Sequence, residues 1–218
     1  FLDDLKIIYY PLEHEYASFQ ADFDLPLWSN TFGFGHPLLA WGQLGFFTPL
    51  HVVLRLLQIH PVTLLQASIA VYFLVGLLGM YAFLRHRKYS LPASVLGATL
   101  FTWNGFSIGH LNHVNFYTGI MLLPLLLIAS YAFIRKPTVA RALGITLAMS
   151  AITLSAQPQV VLFTAIGAAV ISLGYIVSQR FSIADLTKRL GIIVATGALT
   201  FLLSSTSILP LFEFIPET

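Results

Sequence analysis

The chain of 218 residues contains no cysteine, so its capacity for proton transfer and metal binding rests on nine acids and seven histidines. All the acids but Asp185 fall near one end of the sequence or the other: Asp3, Asp4, Glu13, Glu15, Asp22 and Asp24 at the start, Glu213 and Glu217 at the finish. A carboxylate such as Asp4, or its neighbour Asp3, can take a proton from a hydroxyl if burial raises its proton affinity toward the working pH. A departing phosphate needs positive charge, from a metal on hard oxygen ligands or from arginine and histidine side chains. Arg55 and His51, four residues apart, share one helical face and can supply it. His110 and His113 are three apart, which puts both on one side of a helix if the helix persists, where they can bind phosphate or join Asp4 around a divalent cation, Mg or Mn. Each group also has a plainer use. An acidic pair at a helix end is ordinarily solvated, Asp22 and Asp24 suit turns, Arg55 can snorkel from an interfacial helix, and boundary histidines commonly bond to backbone or water.

What must position these residues is mostly hydrocarbon-compatible. Hydrophobic residues make up 57% of the chain and charged residues only 9%, with a mean hydropathy of +0.82, where a soluble domain carries about 25% charge. Apolar runs of the length that crosses a bilayer, about 20 residues, lie near 62–84, 90–109, 117–134, 139–156, 159–177 and 190–209. The fourth is the shortest. Backbone in lipid must satisfy its own hydrogen bonds, so these runs predict six transmembrane helices, with Pro92, Pro124 and Pro158 marking starts, kinks or breaks.

Basic residues sort by connection. Arg85/Arg87/Lys88, Arg135/Lys136/Arg141 and Arg180/Lys188/Arg189 occupy alternate loops, which the positive-inside rule makes cytoplasmic. Lys6, Arg55, six of the histidines and every acid but Asp185 then lie on the opposite face. The expectation is a multi-pass cell-membrane protein whose proton-transfer chemistry faces away from the cytoplasm. The basic loops are what topology demands and indicate no nucleic acid partner, and there is no phosphate-binding loop or dinucleotide fingerprint.

Residues 1–60 read as an extracytoplasmic first loop, 61–210 as the transmembrane region and 211–218 as the start of the next outer segment. Within the loop, Leu12, Tyr16, Phe19 and Phe23 recur at helical spacing with Glu13 and Gln20 turned away. In TPLHVVLRLLQIH the polar face is His51, Arg55 and Gln58. Both predict amphipathic helices lying in the membrane interface. Between them PLWSNTFGFGHPLLAWGQLGFF is too polar to span, and Trp28, Phe32, Phe34, Trp41, Phe46 and Phe47 suit headgroup depth, with Gly33, Gly35 and Pro37 turning the backbone. The start at Phe1, directly into an acidic outer segment, predicts a fragment of a longer protein that lacks a preceding helix.

Asp4-Leu5 followed by Tyr9-Tyr10-Pro11, then Pro26-Leu27-Trp28 and Gly33-Phe34-Gly35-His36-Pro37-Leu38-Leu39-Ala40, resembles the first outer loop of YfhO-type bacterial membrane proteins. These are similar to the C-type (GT-C) glycosyltransferases. The resemblance runs on through GQLGFFTPLHVVLRLL, GHLNHVNFY, LLPLLL and SAQPQ, in order over most of the chain. It departs at SAQPQ, where the family more often has Gly-His before Pro-Gln and Ala156-Gln157 stand here. It implies a GT-C-like, all-α integral membrane fold. It also implies transfer of a sugar from a polyprenyl-phosphate donor to an extracytoplasmic acceptor: a cell-envelope glycan, teichoic acid, lipid or protein. By position Asp4 matches the acidic residue this fold carries in its first outer loop. Asn104, Gln157 and Gln159 can contact a sugar or serve helix packing.

Two other classes stay open. A transporter or flippase would move a lipid-linked saccharide without reacting it, and ion-coupled carriers commonly place ionisable groups within the membrane. Between Asp24 and Asp185 this chain has no Asp or Glu, which argues against such coupling in these helices. A non-catalytic membrane scaffold would have no particular use for acids and histidines gathered on one side.

Overall fold

The computed structural model describes residues 4–31, 34–41, 45–179 and 181–214. Asp3, Phe32, Gly33, Arg180 and Glu217 lie outside them. Among the described residues the fold is all-helical, with one isolated bridge between Ser29 and His36 as the only β pairing.

A π-wound turn, Leu5–Tyr9, leads into α1, Tyr10–Ala21. Pro11 has no N–H to donate into the ladder, and Tyr10 closes the wide turn by bonding back to the Leu5 carbonyl. After a loop that includes a 3₁₀ turn, Leu39–Trp41, come α2, Pro49–Leu56, and α3, Pro61–His86. There follow α4, Leu91–Thr102, α5, Gly105–Gly109, α6, Val114–Arg135, and α7, Val139–Ser155. The chain finishes with α8, Pro158–Ser178, α9, Ile183–Leu203, and α10, Ser205–Phe214.

Four of these, α3, α6, α8 and α9, are long and apolar enough to cross a membrane, and α7 is apolar but shorter at 17 residues. The run at 90–109 is not one helix. It breaks at Trp103–Asn104, where the Asn104 carboxamide caps α5 by accepting from Ser107 N at 2.9 Å and donates to the Phe101 carbonyl. A short amide side chain that bonds locally competes with the helical ladder, and Gly105 follows it. The run at 190–209 also divides differently: α9 starts at Ile183, capped by Ser182, and ends before Ser204.

α6 is the central helix, with α3, α7 and α8 packed around it. A side chain at Gly76 or Gly79 of α3 would run into Met121 or Pro124, so these glycines allow close approach to α6. Pro124 sits inside α6, a placement tolerated where neighbouring helices cover the freed backbone. Large apolar side chains on α8 and α9, such as Phe163, Val170, Leu190 and Val194, are exposed. A membrane helix shows that pattern toward lipid.

Side-chain contacts define two ends. At one, Asp4, Tyr9, Thr48 and the α10–Leu39–Trp41 contact surround the start of α6 and the finish of α7. At the other, Arg87, Arg135, Arg141 and Arg189 surround the finish of α6. From α3 to α9 the chain runs back and forth between these ends, with α4 and α5 together making one pass.

The first sixty residues are covered on more sides than amphipathic reading suggests. Leu12 and Tyr16 of α1 pack with Leu38 and Phe46, and Tyr9 packs with Leu64, Leu65 and Val114. Glu13 does not turn away from the core; it is buried. Phe23 lies beyond α1, exposed and at positive φ. α2 is inverted relative to a soluble helix: His51 and Arg55 are buried while Val53, Leu56 and Leu57 are exposed. Of the aromatics expected at headgroup depth, Trp28 and Phe34 are exposed and Phe46 is buried. Ser29 and His36 exchange backbone hydrogen bonds, which sets residues 27–29 alongside 36–38, with Gly35 held at φ +112° beneath the Trp28 indole.

Candidate functional site

Three residues spaced along one helical edge, Asp4, Tyr9 and Glu13, face the beginning of α6 and the polar side of α2. The π-wound turn makes this possible, because its i to i+5 winding sets Tyr9 five positions after Asp4 while keeping both against the start of α6.

At the rim, the Asp4 carboxylate lies 2.9 Å from His113 Nε2, each side chain about 40% exposed. With Nε2 donating to Asp4, neutral His113 has its acceptor at Nδ1, and that atom is buried without a hydrogen-bond partner among the described residues. His110 stacks on Phe106 at 4.0 Å, and its Nδ1 donates to the Phe106 carbonyl at 2.8 Å. The two histidine rings are 5.4 Å apart, and Phe116 stands beside both. The helix does not persist through them as expected. α5 ends at Gly109, and a turn closed by His113 N donating to His110 O brings the rings together instead.

Below the rim, the Tyr9 hydroxyl donates to Asn115 Oδ1. Burial raises the Tyr9 phenol above its ordinary value, and it stays protonated. Deeper still, Glu13 Oε1 meets His51 Nδ1 at 2.7 Å and Glu13 Oε2 lies 3.6 Å from Arg55 Nη1. Glu13 is 2% exposed and Arg55 6%. Burial pushes the Glu13 carboxyl up, but the charge and hydrogen bond of His51 together with Arg55 outweigh it, and the net direction is down. Arg55 also donates through Nη2 to the Phe46 carbonyl and lies over the Tyr16 and Phe46 rings at 5.4 and 4.7 Å. A cavity of about 10 Å³, room for roughly one water, touches Tyr9, Glu13, His51, Asn115 and Thr118. His51 Nε2 and Thr118 Oγ1, both without a hydrogen-bond partner among the described residues, belong to residues that line it.

The residues singled out in the sequence therefore separate. Asp4, His113 and His110 meet at the rim. His51 and Arg55 are brought together, but inside the protein and on Glu13, so Arg55 neither snorkels nor presents its charge at an open surface. Gln157 caps the α8 start without a side-chain hydrogen bond there, its Oε1 buried, and Gln159, two residues on, is exposed. Asp3 is outside the described residues. A divalent cation such as Mg or Mn wants several oxygen ligands. Among the described residues no three His, Asp or Glu side chains converge, and the rim offers one carboxylate beside an imidazole. These residues do not fit such an ion.

Glu13 and the hydrogen-bonded pair Tyr9 and Asn115 are the members that sequence reading did not select. The signal was available in α2: a helix that turns its apolar residues outward turns its cationic face inward, where a carboxylate such as Glu13 can pair with a buried guanidinium.

A groove of about 690 Å³ runs beside α1, between it and the connection from α2 to α3, with Tyr10, His14, Gln20 and His60 in its walls. Comparison with family models, with curated proteins and with solved structures returned no match.

Proposed function

We propose that the chain is the catalytic part of a GT-C-like membrane glycosyltransferase. It would move a sugar from a polyprenyl-phosphate carrier to an acceptor hydroxyl on the non-cytoplasmic side of the cell membrane. The observation that carries this reading is the Asp4 carboxylate, half exposed at the end of an apolar bundle and oriented by His113. In this reading the pass made by α4 and α5 and the shorter α7 cross the membrane along with the four long helices, six in all. The arginine end faces the cytoplasm, as alternate basic loops require.

Asp4 serves as the base. As the acceptor oxygen attacks the anomeric carbon, its proton passes to the Asp4 carboxylate and a new carbon–oxygen bond forms. The bond from the anomeric carbon to the carrier phosphate breaks, and its electron pair leaves with the phosphate. The His113 imidazole holds the carboxylate in place, and its ring, when protonated, offsets the negative charge gathering on the phosphate. Phe106 and Phe116 form an aromatic platform beside it, and exposed Trp28 and Phe34 of the overlying loop suit a membrane surface.

Transfer by the full chain, with polyprenyl-phosphate sugar as donor, is the test. Asp4→Asn, folded and expressed as wild type, is expected to lose transfer by about 10²–10⁴-fold while still binding donor. Undiminished transfer by Asp4→Asn would move the chemistry to another carboxylate at this end. Donor movement across the bilayer with no transfer by wild type would replace the reading with that of a flippase.

A further inference from the structure

The opposite end of the bundle holds a second polar constellation, built without any acid. Tyr131 of α6 carries two guanidiniums, Arg87 at 4.5 Å and Arg135 at 5.8 Å from its ring centre. Arg87 also lies 5.1 Å from the ring of Tyr175 on α8, and the two tyrosines meet edge to face at 4.8 Å. A cavity of about 240 Å³ opens beside Arg87, Tyr131 and Tyr175, with Arg135 beyond its lining, and is walled on its other sides by Phe83, Leu127, Ile134 and Ile171. The hydroxyl-bearing Ser172 and Ser178 also face it.

Ring faces attract a guanidinium but do not neutralise it, being worth about 0.5–1 kcal/mol at exposed sites. Two like charges gathered on one tyrosine repel each other. Among the described residues no carboxylate lies within 4 Å of either arginine. The one acid in this region, Asp185, is spent on the Ser182 hydroxyl at the start of α9. By contrast the arginine buried at the other end, Arg55, has its carboxylate.

We propose that this cavity binds an anionic phospholipid, with the phosphate held between Arg87 and Arg135 and an acyl chain lying along Leu127, Phe83 and Ile171. Arginine's planar fork matches phosphate oxygens bidentately. The apolar wall distinguishes a lipid from free phosphate, which would leave that wall uncovered. Ile171, on the cavity side of α8, is itself exposed and carries the apolar wall toward the outside of the bundle.

The experiment is native mass spectrometry of the full chain released from nanodiscs containing equal phosphatidylglycerol and phosphatidylcholine. Wild type is expected to retain phosphatidylglycerol preferentially. Arg87→Gln and Arg135→Gln should each weaken that retention about fivefold, and Tyr175→Leu, which removes a ring supporting Arg87, should weaken it too. Arg135 is exposed, so its variant tests the site even where Arg87→Gln impairs folding. Lys188→Gln, a cation elsewhere near this end, should leave retention unchanged. Equal loss in Lys188→Gln would mean a diffuse surface effect and would overturn the site. So would unchanged retention in Arg135→Gln, or displacement of phosphatidylglycerol by inorganic phosphate at comparable concentration.

Discussion

The two ends of α6 handle charge in opposite ways. At its start, carboxylates meet the basic groups: buried Glu13 serves both His51 and Arg55, and at the rim Asp4 holds His113. At its finish, the described arginines have only carbonyls and rings. Arg141 donates to Ala132 O at 2.8 Å, Arg189 to the Phe133 and Ile134 carbonyls, and Arg87 lies between tyrosines. Helix geometry explains the second arrangement, since the last carbonyls of α6 lack intrahelical partners and carry the negative end of its dipole. The first has no such local cause. Its charges are brought from α1, α2 and the α5–α6 turn, and their gathering is a property of the tertiary fold, which is why a site is sought there.

The sharpest way to break the contrast is to remove the shared carboxylate. Glu13→Ala leaves Arg55 buried and unpaired, a change that typically costs about 3–5 kcal/mol, and thermal unfolding in detergent should show a large loss of stability. A double change, Glu13→Leu with Arg55→Met, should recover most of it, because apolar replacement of a buried pair is often neutral. If Glu13→Ala is silent, the buried network does not hold α1 to α2.

Acid should act unequally on the two ends. The folded Glu13 carboxyl is held below its ordinary value by His51 and Arg55 despite burial. Its contribution is thus complete above the unfolded value, about 4.3, and is lost as pH falls below that toward the folded value. Unfolding midpoints measured from pH 6 to pH 3 should drop below about pH 4 in wild type, and this drop should be flatter in the Glu13→Leu/Arg55→Met protein. An equal drop in both would assign acid sensitivity to other groups.

At the arginine end a single removal should cost less. Arg189→Met strips a cationic donor from the Phe133 and Ile134 carbonyls, a loss of about 1.5–3 kcal/mol for hydrogen bonds to a charged group. The end of α6 should then exchange amide hydrogen faster, with exchange around Asp4 and Tyr9 unchanged. Faster exchange at both ends would show that the two regions are coupled through α6.

Much of the architecture was legible because hydrocarbon imposes long apolar runs. The runs at 62–84, 117–134 and 159–177 became α3, α6 and α8 within a few residues, and the alternate basic loops meet at one end of the bundle. The break at Trp103–Asn104 was not read, since hydropathy is blind to a side chain that caps a new helix. Asp4 and His113 were each selected, but their pairing spans 109 positions and no local spacing announces it. Glu13 was misplaced for a sharper reason. Amphipathic reasoning assumes that polar faces seek water, whereas α1 and α2 turn Glu13, His51 and Arg55 onto one another and leave Val53, Leu56 and Leu57 exposed.

The smallest effect tests whether the loop over the acidic end is held by that end or merely lies on it. Glu15 Oε2 accepts from Ser29 Oγ and Thr31 Oγ1, each at 2.8 Å, which ties the segment paired at Ser29 and His36 to α1. Glu15 is more accessible than Glu13, so the loss in Glu15→Gln is set by hydrogen bonding rather than by charge burial, about 0.5–1.5 kcal/mol. Global unfolding should therefore move little. Proteolysis at the exposed Phe34 should quicken noticeably, because local opening of a surface segment depends on the few bonds that fasten it. If cleavage there is unchanged while Glu13→Ala accelerates it, the loop is fastened by Leu38 and Phe46 packing on Leu12 and Tyr16, and the acidic end holds its cover through apolar contact alone.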